Sequence, residues 1–170
     1  MSAVPPLAKI AVGVVVERSK SASQWADFYW RPVGVLPGAP DTSPWTKLND
    51  NGERTSFYAG STHVELYRTE TANYRDNLQS ETPSLWIVLR PVEADPPYEL
   101  ASVTADPAEG EAMTEAGANL VATVPMPQPM QEAIAAFIAE HHVEQMFVKR
   151  NRDRANPEAM ARRGPPVKRK

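Results

Sequence analysis

Apolar and polar positions divide the chain into short strands and a few helices. Ile10–Val16 is an apolar run closed by Glu17, which predicts a buried strand over Ile10–Glu17. Trp30–Leu36 (WRPVGVL) predicts a second strand. Pro32 fits there only near the start or on a sheet edge, because it has no N–H for a ladder. Residues 37–53 read as loop, with Asn51–Gly52 as a turn signal. Arg54–Ala59 and His63–Arg68 flank Gly60–Ser61–Thr62 and suggest a hairpin.

Tyr74 and Leu78, four apart, support a short helix over Thr71–Ser80. Ser84–Arg90 (SLWIVLR) predicts a buried strand ended by Pro91, and Tyr98–Thr104 another. Asp106–Pro107 pairs an N-cap residue with Pro at the first helical position, and Gly117 supplies the stop. Leu120–Val124 predicts one more strand. Pro129–His142 gives the strongest helix, since Met130, Ile134, Phe137, Ile138 and His141 recur three and four apart as one apolar stripe. Val143–Val148 breaks that phase, and Asn156–Arg163 reads as a last short helix. The order predicts an α+β protein, mainly antiparallel β. We expect a curled sheet or small barrel of six or seven strands packed against a C-terminal helix. A pleckstrin-homology-like layout shares this order, as architectural analogy only.

Composition sharpens the picture in three ways. The 170 residues suit one α+β domain over 1–148 followed by a tail over 149–170. Seventeen prolines, roughly twice the usual share, fall in clusters that punctuate the elements. The absence of cysteine excludes disulfides, a thiol nucleophile and thiolate zinc sites, and fits a cytoplasmic protein. Ile10–Val16 is far shorter than the roughly 20 residues of a membrane span. Only Lys9 stands as a basic residue before it, so no signal peptide is expected.

Charge is the most pointed feature. Residues 149–170 hold nine Lys/Arg against Asp153 and Glu158, whereas residues 1–148 hold nine Lys/Arg against nineteen Asp/Glu. An acidic body thus carries a basic arm, centred on Lys149, Arg150, Arg152, Arg154, Arg162 and Arg163. Such an arm suits a solvated tail, docking on an acidic protein surface, or phosphate neutralisation on nucleic acid. The acidic body opposes the last of these, and no aromatic interleaves the basic residues after Phe147.

Candidate chemistry is sparse. His141, His142 and Glu144 form a candidate metal cluster, but a helical di-metal site usually needs a matching Glu-x-x-His elsewhere, and none is present. His63 and Glu65 project from one strand face and could be a base and its partner, yet no nucleophile elbow accompanies them. The eight glycines form no phosphate-binding loop, which disfavours nucleotide chemistry. Trp86 reads as core, and Trp25 and Trp30 as anchors of a small β-core. Trp45, in a Pro-rich loop, is the best candidate for an exposed partner-binding anchor; otherwise it pins its loop to the body.

Three stretches carry a family resemblance: Val12–Gly38 (VGVVVERSKSASQWADFYWRPVGVLPG), Thr82–Pro91 (TPSLWIVLRP) and His141–Pro165 (HHVEQMFVKRNRDRANPEAMARRGP). Together they span nearly the whole chain. In them the chain resembles an uncharacterised proteobacterial family, a domain of unknown function. Its members are encoded near formate dehydrogenase genes and other molybdenum-enzyme accessory genes. The resemblance implies a role in making, stabilising or assembling a formate dehydrogenase, and brings no catalytic residues with it. The expectation is a non-enzymatic accessory or binding protein without a cofactor. A nucleic-acid-binding regulator and a metal-dependent enzyme at His141/His142 stand as alternatives.

Overall fold

The computed structural model describes residues 4–20 and 28–142. Among the described residues seven antiparallel strands form two sheets. The larger sheet has β1 (Ala8–Lys20), β2 (Phe28–Pro37), β3 (Thr46–Asp50) and β4 (Arg54–Leu66) in the order β2-β1-β4-β3. The smaller has β5 (Ser84–Pro91), β6 (Tyr98–Thr104) and β7 (Leu120–Pro125) in the order β6-β5-β7. The helices are α1 (Thr71–Gln79), α2 (Pro107–Ala116) and α3 over residues 128–142. The protein is therefore α+β and mainly antiparallel, and of the two expected closures the open, curled form is found.

The core lies between the sheets. β1 sends Val12, Val14 and Val16 inward at every second position, and β5 answers with Leu85, Ile87 and Leu89. Met130, Ile134 and Phe137 of α3 join this cluster, as the helical stripe predicted. The other face of the small sheet is covered by α2. A methyl group on Gly110 would stand 2.1 Å from Cγ of Trp86, so only glycine lets this helix lie on the strand. Asp106 caps α2 by accepting from the Ala108 N–H at 3.0 Å, and Gly117 ends it at φ 75°.

Two sequence expectations are corrected. Residues 54–66 form one continuous strand, not a hairpin. The registers Val15↔Tyr58 and Val14↔Gly60 leave Ala59 as an extra residue, a β-bulge. Gly60 takes φ 137° there, which its missing Cβ permits. The bulge reverses the face of the strand. Thr55 and Phe57 are buried before it, whereas Val64 and Leu66 are buried after it. That phase change is what imitates a turn. The second correction is β3, which lies inside the expected loop over 37–53. All five of its residues are exposed, so it shows no alternation to betray it. Asn51–Gly52 makes the β3–β4 turn, with Asn51 Oδ1 accepting from the Arg54 N–H at 2.8 Å. Pro32 sits on β2, an edge strand, beside a register shift.

Candidate functional site

The sheets approach one another along two seams, β2 beside β7 and β4 beside β6, and neither seam carries a backbone ladder among the described residues. The β4–β6 seam is concave. β3 pairs only with Thr55–Tyr58 of β4, so Ala59–Leu66 has a ladder on the β1 side alone. Two depressions follow one another along it. The first, about 530 Å³, has Ala59, Gly60 and Ser61 on one wall and Tyr98, Glu99 and Leu100 on the other, with Trp45 at its end. The second, about 280 Å³, lies between Thr62, His63 and Glu65 and the strand Ala101–Thr104.

Trp45 is half-buried and packs on the core. Its ring meets Trp30 edge-on at 6.0 Å and Phe57 at 6.1 Å. Tyr98 joins the group through Trp30 at 6.2 Å. The Arg18 guanidinium caps the cluster, 4.2 Å from the Phe28 ring centroid and 5.2 Å from that of Phe57. Trp45 holds φ 67°, a left-handed conformation rare for a bulky residue, and its N–H donates to the Tyr58 carbonyl. It thus pins its loop to the body while one side lines the cleft.

The second depression is acidic. Tyr67 donates its hydroxyl hydrogen to Glu65 Oε1 at 2.7 Å, and Thr104 donates to Glu109 Oε1 at 2.6 Å. The Glu65 hydrogen bond, helped by burial and the charges of Glu65 and Glu109, pushes the Tyr67 phenol up to about 12. Behind it, burial raises the Tyr74 phenol, whose oxygen accepts from the Tyr67 N–H at 2.9 Å. His63 and Glu65 both line this depression, and the Glu65 carboxylate has Tyr67 as its partner. Tyr67, Tyr98 and Glu109 escaped the sequence reading because nothing local signals that β4 and β6 are neighbours.

The remaining candidates separate. The His142 side chain is buried, with Nδ1 2.9 Å from Thr71 Oγ1. His141 packs on Phe137 with ring centroids 4.5 Å apart, and its Nε2 lies 3.8 Å from Glu140. Among the described residues no group of three or more His, Asp or Glu is arranged to hold a metal ion. Glu144, Lys149, Arg150, Arg152, Arg154, Arg162 and Arg163 lie outside the described residues.

The class defined here is a two-sheet α+β protein with an open acidic seam ended by an aromatic cluster. The chain belongs to the family described as Protein of unknown function (DUF3305), whose model matches residues 11–151. No curated protein and no solved structure matches it. No helix among the described residues is long and apolar enough to cross a membrane.

Proposed function

We propose that this chain is a non-enzymatic accessory protein of the cytoplasm that assists assembly or stability of a formate dehydrogenase-type molybdenum enzyme. The observation that carries the reading is the division of charge between an acidic body and the basic stretch 149–170. The resemblance to a family encoded beside formate dehydrogenase and molybdenum-enzyme accessory genes supplies the partner. In this reading Lys149, Arg150, Arg152 and Arg154 engage an acidic surface of the enzyme or its maturation machinery, and Arg162 and Arg163 extend the contact. Charge complementarity of this kind mainly speeds encounter and selects the partner. Trp45 and Tyr98 give the body an aromatic surface beside its cleft.

Affinity capture of the chain from its source organism, with mass spectrometry of what accompanies it, tests the proposal. Formate dehydrogenase components are expected with the full chain and lost, or strongly reduced, when residues 149–170 are deleted. Equal recovery without the arm would remove the arm from the mechanism. Recovery of no such component would end the proposal.

A further inference from the structure

At one end of the large sheet five polar side chains share the outer face. Val12, Val14 and Val16 of β1 point into the core, so Glu17 and Ser19 point away from it. The registers set Arg31 and Tyr29 of β2 opposite Glu17 and Ser19, and Arg54 of β4 opposite Ser19 from the other side. Directly opposed residues of an antiparallel pair project from the same face. These five residues line a depression of about 110 Å³.

Its donors outnumber its acceptors. Arg31 Nη2 lies 3.6 Å and Arg54 Nη1 3.9 Å from the same oxygen, Glu17 Oε1, and both separations are too long for a hydrogen bond. The Ser19 and Tyr29 hydroxyls make no hydrogen bond among the described residues. The two arginine side chains are 52% and 61% exposed, so a ligand from solvent can reach them. A surface ion pair needs one guanidinium for one carboxylate. The second guanidinium and both hydroxyls are surplus to that, and they stand on a body in which acids outnumber bases nineteen to nine over residues 1–148.

We propose that this depression binds a tetrahedral oxyanion of the phosphate class, either the free ion or the end of a phosphate ester. At about 30 Å³ per water, the depression has room for about three or four waters, the size of one five-atom oxyanion. Guanidinium forks match such an anion two oxygens at a time. Arg31 and Arg54 grip it from either side of β1, and the Ser19 and Tyr29 hydroxyls donate to its remaining oxygens. Glu17 keeps the two guanidiniums facing one another in the empty site and opposes the bound anion by like charge. The proposal needs neither the basic stretch 149–170 nor the accessory reading, and it stands or falls separately from them.

The test titrates the full ¹⁵N-labelled chain with inorganic phosphate and with phenyl phosphate, followed by amide shifts in NMR spectra. Residue resolution separates this site from the cations of residues 149–170, which also attract phosphate. Saturable shifts are expected at Ser19, Tyr29, Arg31 and Arg54. Arg31→Gln and Arg54→Gln should each raise Kd about tenfold, the loss of one charge-assisted contact. Glu17→Gln should lower Kd about threefold by removing a like charge, an effect in the opposite direction that a general loosening of the sheet would not give. Thermal melting confirms that the variants fold. Tighter binding of phenyl phosphate assigns the anion to an ester and equal binding to the free ion, and either supports the site. Shifts confined to residues 149–170, equal shifts with sodium chloride at matched ionic strength, or a Kd unchanged in both arginine variants would overturn it.

Discussion

The two seams between the sheets solve the same problem in different ways. Along β2 and β7, Pro32 and Pro125 line the join and Pro37 closes β2, so backbone donors are removed where another chain could pair. Along β4 and β6 every residue of both strands retains its N–H, and the groove is acidic. One seam is protected by covalent chemistry. The other is held by its surroundings: the Gly60 bulge, the α2 helix behind Thr104, and the Asn77 side chain that fixes the strand ends. Asn77 donates to the carbonyls of Ser84 and Ala105 at 2.8 and 2.9 Å and accepts from the Ser84 N–H at 3.0 Å. It therefore ties α1 to the start of β5 and the end of β6.

The contrast can be broken hardest at Asn77. Asn77→Ala strands three backbone groups and is expected to cost about 3 kcal/mol, read as a lower midpoint in urea unfolding. Next comes Gly110→Ala, whose new methyl group meets Trp86 at 2.1 to 2.6 Å. Displacing α2 from β5 should cost about 2 kcal/mol and alter near-UV circular dichroism.

A pair of glycine substitutions compares the seams directly. Gly60→Ala forces φ 137° on a residue with a Cβ and should cost about 1–2 kcal/mol. Gly34→Ala on β2 meets nothing within 4 Å and should leave the urea midpoint within about 0.5 kcal/mol of the parent. Equal effects would mean that the bulge is not what shapes the β4–β6 seam.

The smallest effect is a titration. The Tyr67 phenol is raised to about 12, above its ordinary value of 10.0, so the folded chain holds this proton after an unfolded chain has lost it. Stability from this group is present below pH 10 and falls as pH rises toward 12. Glu65→Gln should return the phenol toward 10.0, seen as earlier phenolate absorbance.

Much of the scaffold was legible because its signals are local. SLWIVLR became β5, Asp106–Pro107 opened α2, and the stripe from Met130 to Phe137 found the core. The bulge was misread because alternation changes face at Ala59, and a phase change and a turn look alike in one dimension. β3 was missed because a strand exposed on both sides has no apolar period. The candidate site was nearly invisible. Its walls come from residues 59–65 and 98–104, strands that share no ladder, and only their order in space brings them together. His63, Glu65 and Trp45 were noticed singly, without the groove that relates them.

The described tryptophans fall on opposite sides of the molecule's two layers. Trp30 and Trp45 touch each other beside the cleft, and Trp86 lies alone beneath Gly110. Each layer therefore carries its own optical reporter. With the other indoles replaced by phenylalanine, emission from Trp45 would follow what enters the cleft, while Trp86 would register only loosening of the helix above it.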